Sequence, residues 1–254
     1  MSPLELSIAA LAAAAAGAVN ALAGGGTLIS FPVLLALGIP PIAANVTNAV
    51  ALSPGYLGAT LAQLGNLRGQ RERLLLCIPA AVIGGLVGAV ILLHTRERTF
   101  VALVPYMLFF AAVLLAFQNR VRAWVVRRLA ESRHAHHSRF VPVIAVAAAG
   151  VYGGFFTAGM SVLVLAILGA TVEDSLTRLN ALKQIIAFSV NIAAAVFFLF
   201  SDQLIWLLAG VMALGAMVGG ALGGRVASRL NPDTLRWIVV VVGVALAIFY
   251  WFRN

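Results

Sequence analysis

Few polar residues interrupt the apolar runs of this 254-residue chain, and they gather in two places. Asn20 precedes the run Gly24-Gly25-Gly26-Thr27, and Asn45 and Asn48 follow, three residues apart and on one face of any helix that holds them. Later, Gly159 and Ser161 precede Asn180, Gln184 and Asn191, which share a face by i, i+4, i+11 spacing. Lys183, the only lysine, adjoins that face. These groups are hydrogen-bond donors and one cation, so the chemistry they can do is to hold an anion. A short helix starting at Thr27 would point unpaired N–H groups and a positive dipole end at such a ligand, and Gly159-Met160-Ser161 would supply a second. Close packing of helices through small residues is the other reading of both glycine runs. For Asn48 and Asn180 it is interhelical hydrogen bonding, and for Lys183 it is snorkelling to the interface.

Catalysis is not expected. The eight carboxylates, Glu5, Glu72, Glu97, Glu131, Glu173, Asp174, Asp202 and Asp233, all lie at or near the ends of apolar runs. That leaves no evident acid–base pair and weakens a proton relay resting on a midplane carboxylate. The glycine run is followed by Thr27 where a phosphate-binding loop needs Lys, and it follows an apolar run in place of a strand. Cys77 is the only cysteine, and His134, His136 and His137 have no Cys or carboxylate partner beside them, so neither a metal nor a cofactor is expected.

The elements that position these residues are membrane helices. The chain is 62% hydrophobic and 10% charged, against about 45–50% and 25% in soluble domains. Its apolar runs are continuous, which speaks against a membrane barrel. Met1-Ser2-Pro3-Leu4-Glu5 lacks a basic stretch, so no cleaved signal peptide is read. The net charge of +9 lies in loops between apolar runs, so it encodes orientation and not nucleic-acid binding. Two apolar segments, 27–38 and 160–170, are too short to span, and each follows a glycine break. Such interruptions at matching places in two halves point to a transporter site.

The halves match at offsets of 132 to 135 residues: Gly17 and Gly26 with Gly150 and Gly159, Asn48-Ala49 with Asn180-Ala181, and Gly84-Gly85 with Gly219-Gly220. We read an all-α polytopic membrane protein with repeats at 1–120 and 140–254. Each repeat holds a glycine-broken, re-entrant-type helix hairpin followed by three spanning helices. Residues 121–139 form a basic cytoplasmic linker, either a headgroup-lying amphipathic stretch or a solvated loop. If each broken segment crosses once, the arginines divide 10 against 6; if each folds back, they divide 13 against 3. The second arrangement obeys the positive-inside rule better, makes the repeats inverted, and puts both termini away from the cytoplasm.

The run Gly17-Ala18-Val19-Asn20-Ala21-Leu22-Ala23-Gly24-Gly25-Gly26-Thr27, followed by Ala44-Asn45-Val46-Thr47-Asn48, resembles the sulfite exporter TauE/SafE family of bacterial permeases. Gly150-Val151-Tyr152-Gly153-Gly154, then Arg178-Leu179-Asn180-Ala181-Leu182-Lys183, repeats the pattern. The resemblance spans nearly the whole chain. It implies a multi-pass protein of the bacterial inner membrane moving small sulfur-containing anions such as sulfite or organosulfonates. Alternating access by rocking of one repeat against the other is the expected mechanism. An anion channel and a non-transporting membrane scaffold are the alternatives. The expected partners are a small anion and the lipid bilayer, with a homo-oligomer left open.

Overall fold

The computed structural model describes residues 1–22, 25–131, 140–226 and 232–253. Gly24, Arg133, His134, His136, His137, Arg139 and Arg229 lie outside the described residues. Those described form eleven α-helices and no strand: α1 Pro3–Leu22, α2 Thr27–Ala36, α3 Pro41–Leu61, α4 Arg71–His94, α5 Glu97–Ala116, α6 Gln118–Glu131, α7 Phe140–Phe155, α8 Met160–Thr171, α9 Leu176–Phe198, α10 Trp206–Val226 and α11 Pro232–Arg253. A 3-10 turn, Leu64–Leu67, links α3 to α4.

Local chemistry sets the breaks. Gly25 and Gly159 take φ of +89° and +78°, the left-handed region that side chains resist. Gly159 thereby starts α8. Pro41 opens α3, where its missing N–H costs nothing, and Ser175 caps α9 by accepting from the Arg178 N–H. The 10-residue α2 and 12-residue α8 are about 15 and 18 Å long, far short of the roughly 30 Å hydrocarbon core. Four stretches, Pro3–Asn20, Arg71–His94, Glu97–Ala116 and Leu176–Phe198, are long and apolar enough to cross a membrane. Large apolar side chains such as Leu11, Ile144, Leu214 and Val241 point outward, while many alanines are buried among core side chains such as Phe31, Phe100 and Leu108; small residues at helix contacts are the pattern expected where lipid is the solvent.

Two seams hold the bundle together, and each joins a helix from one half to a helix from the other. In α4 and α7, a Cβ added to Gly84 would lie 2.3 Å from the Ala147 carbonyl oxygen, and one on Gly88 2.1 Å from that of Val151. In α1 and α10, a Cβ on Gly215 would meet the Ala10 oxygen at 2.4 Å and one on Gly219 the Ala14 oxygen at 1.9 Å. Residue numbers rise together along both seams, so each pair runs parallel. The seams are also counterparts: Gly84 and Gly219, and Ala147 and Ala14, occupy matching positions of the two halves.

The matching helices α3 and α9 instead run antiparallel. Ser53 Oγ donates to Asn191 Oδ1 at 2.7 Å near the middle of both. Past the end of α3, Gln70 Nε2 donates to the Arg178 carbonyl at the start of α9, at 3.2 Å. α5 and α11 behave alike: the Tyr106 ring contacts that of Trp251 at a tilt, 4.7 Å between centroids, whereas Asn119, just past α5, donates to Asp233 at the start of α11 at 2.9 Å.

The turns sort to two ends. Arg178 Nη1 donates to the Arg68 carbonyl at 2.8 Å, and Arg73 pairs with Asp174. At the other end, the Ile42 N–H donates to Glu97 Oε1 at 3.1 Å and the Ile205 N–H to Thr47 Oγ1 at 3.2 Å. Arg68 and Arg178 therefore share an end, as in the 13-against-3 count and unlike the other. The first part of the linker is neither loop nor free surface stretch. It is helix α6, whose Val125 is fully buried against α8 at Gly169.

Candidate functional site

Among the described residues, helix packing leaves a polar cavity at the end where those basic turns meet, with a volume of about 400 Å³. Asn20 enters from the end of α1, Tyr56 and Gln63 from α3 and the residues after it, and Gln118 and Arg122 from α6. Ser161 comes from the first turn of α8, and Thr177, Asn180, Lys183 and Gln184 from the first three turns of α9. Val162 and Leu165 are buried apolar walls, while Arg122 and Thr177 are exposed. The cavity therefore opens past α6 and the start of α9.

The lining carries two cations, Lys183 and Arg122, and no carboxylate. Neither cation has a hydrogen bond or a carboxylate partner among the described residues. The neighbouring arginines do: Arg178 Nε reaches Asp174 at 2.8 Å and its Nη1 the Arg68 carbonyl, and Arg73 also bonds Asp174 and, at 3.1 Å, the Glu173 carbonyl. Burial pushes the Asp174 carboxyl up, but hydrogen bonds from Arg178, Arg73 and the Ser175 N–H outweigh it and hold the group below its ordinary range. That cluster is internally compensated, and the cavity is not. Asn20, Gln63, Gln118, Ser161, Asn180 and Gln184 add neutral groups that can donate. The arrangement suits an anion held by charge-assisted hydrogen bonds.

Of the residues singled out in the sequence, Asn20, Ser161, Asn180, Lys183 and Gln184 come together here. The others sit elsewhere. The Gly26 N–H donates to Asn20 Oδ1 at 2.8 Å, and a Cβ on Gly26 would lie 2.2 Å from the Ala16 carbonyl oxygen. Thr27 is buried beside it. The amino end of α2 is thus folded onto α1, with Gly25 packed against the Leu115 side chain. Gly24 lies outside the described residues. Gly159 is buried against Ala111 of α5. Asn45 Nδ2 donates to the Phe155 carbonyl at 2.8 Å and so ties α3 to the end of α7. Asn48 is 1% exposed, and its Oδ1 has no hydrogen-bond partner. The sequence reading had not picked out Tyr56, Gln63, Gln118, Arg122 or Thr177. The i, i+4 spacing of Gln118 and Arg122 was the available signal for two of them.

The comparisons with known proteins agree with one another. The family description "Sulfite exporter TauE/SafE" matches residues 9–250. The chain is 28% identical to a probable membrane transporter protein, ORF9, of a Sinorhizobium species, over 94% of this chain and 89% of that one. It is 25% identical to a probable membrane transporter protein of Haemophilus influenzae, over 88% of this chain and 86% of that one. For the probable membrane transporter protein YfcA of Escherichia coli the identity is 24%, over 97% and 90%. No solved structure matches the chain.

Proposed function

Because the chain belongs to the sulfite exporter TauE/SafE family of membrane proteins, we propose that it is a secondary permease carrying small sulfur-containing anions, such as sulfite or organosulfonates, across the bacterial inner membrane. The observation that carries this reading is the cavity lined by Lys183, Arg122 and neutral polar side chains with no carboxylate. A cation inside a membrane protein is costly unless it is used. An anion of a few heavy atoms fills only part of about 400 Å³, which leaves room for water or a short organic tail.

The two halves act as inverted repeats. The antiparallel pairing of α3 with α9 and of α5 with α11 supports this. The end bearing Arg68, Arg73, Arg122 and Arg178 is the cytoplasmic one by the positive-inside rule, so the cavity faces inward. Rocking of one half against the other would part both glycine seams, since each seam takes one helix from each half. Access instead alternates through the broken hairpins α1–α2 and α7–α8, whose short helices can shift without opening the seams.

The test is flux in proteoliposomes holding the purified full chain, with labelled sulfite, sulfate, thiosulfate, sulfoacetate and taurine. Saturable uptake with counterflow of a sulfur anion is expected, and Lys183→Gln should lower it at least tenfold. Flux that never saturates would make the protein a channel. No flux of any of these solutes would refute the proposal.

A further inference from the structure

The first part of the linker between the halves belongs to the cavity, and its charge bears on what the cavity selects. Helix α6 is pinned by Val125, buried where a Cβ on Gly169 would come within 2.2 Å of it. Two turns and one turn before Val125, Gln118 and Arg122, four residues apart, line the cavity. Lys183 lines the same cavity. Arg73 and Arg178 are spent on Asp174 and on backbone carbonyls. Two uncompensated cations therefore face one space.

Charge balance then discriminates between ligands. A monoanion neutralises one of the two cations and leaves the other repelled and partly desolvated. A dianion neutralises both. In a confined, partly wet space the second charge contributes on the order of tenfold in affinity.

We infer that Arg122 of α6 is a substrate-binding residue that, with Lys183, makes the permease select divalent sulfur oxyanions over monovalent ones. The inference rests on the anion-permease reading above. Two sulfonates of similar size separate the ideas: sulfoacetate carries a second charge on a carboxylate, and isethionate carries a hydroxyl there. Uptake of each is measured at pH 7 in proteoliposomes holding the full chain. Wild type should favour sulfoacetate by about tenfold. Arg122→Gln should bring the preference below about threefold by losing sulfoacetate uptake, and Arg122→Lys, which keeps the charge, should retain it. Unfolding curves in detergent check that each variant is folded, and the wild-type ratio stands as a test even if one is not. Equal uptake of the two by wild type overturns the inference and leaves the permease reading intact. An unchanged preference in folded Arg122→Gln, or one lost in folded Arg122→Lys, does the same. If wild type moves neither sulfonate, the inference falls; if it moves no sulfur anion at all, both ideas fall.

Discussion

Backbone meets backbone along the two glycine seams, so a single methyl group tests them. In Gly84→Ala the new Cβ would lie 2.3 Å from the Ala147 carbonyl oxygen, and in Gly219→Ala 1.9 Å from that of Ala14. An ordinary carbon–oxygen contact is about 3.3 Å, so each seam has to open by roughly 1 Å. Overpacking typically costs about 1–3 kcal/mol, and separating packed surfaces by 0.5–1 Å forfeits about a quarter to a half of their dispersion attraction. Backbone cannot swing aside as a side-chain tip can. The expected loss is therefore near the top of that range, about 3 kcal/mol, and larger for Gly219→Ala, where the overlap is deeper. Gly210 is the control: it lies in α10 with nothing within 4 Å of an added Cβ. Alanine there should be neutral or stabilising by up to about 1 kcal/mol, the helix-propensity gain. Denaturant unfolding in detergent, followed by far-ultraviolet circular dichroism, measures all three. Wild-type midpoints for Gly84→Ala and Gly219→Ala, or an equal loss in Gly210→Ala, would refute the reasoning.

Two further outcomes follow from the ends of the bundle. Asp174 has its pKa held down in the folded protein, so its contribution to stability is complete above the unfolded value of about 3.9 and is lost as pH falls through the lower folded value. Asp174→Asn should cost about 1 kcal/mol at pH 7, given its partly exposed partners, and should flatten the acid limb of the unfolding profile; an acid limb identical to wild type would contradict this. A fluorescent reporter that matures only in the cytoplasm should stay dark when fused after Asn254, while a periplasmic phosphatase in the same place should be active; the opposite pattern would reverse the proposed orientation.

The breaks were legible in the sequence because their causes are local. Glycine and proline act through their own backbone, so segments 27–38 and 160–170 became the helices Thr27–Ala36 and Met160–Thr171 with only small changes of boundary. The polar cluster of α9 was legible too, because one helical face is fixed by spacing alone. What Gly26 and Asn45 do was not, since it depends on the partner that arrives: Ala16 for the first, the Phe155 carbonyl for the second. The same holds for residues 118–131. Six arginines and a tryptophan across the linker read as a headgroup-lying stretch or a solvated loop, yet packing of Val125 on Gly169, with Val121 and Leu129 against the same core, is a tertiary event, and it sets Arg122 at the cavity.

The pairing of α1 with α10 sets a schedule for biogenesis. The ribosome releases Ala10 and Ala14, respectively, 205 residues before Gly215 and Gly219, so α1 inserts long before its tightest neighbour exists. Until then its small-residue face must rest against lipid or an insertase. A chain stalled before residue 206 would leave that face uncovered, a signal that membrane quality control can read.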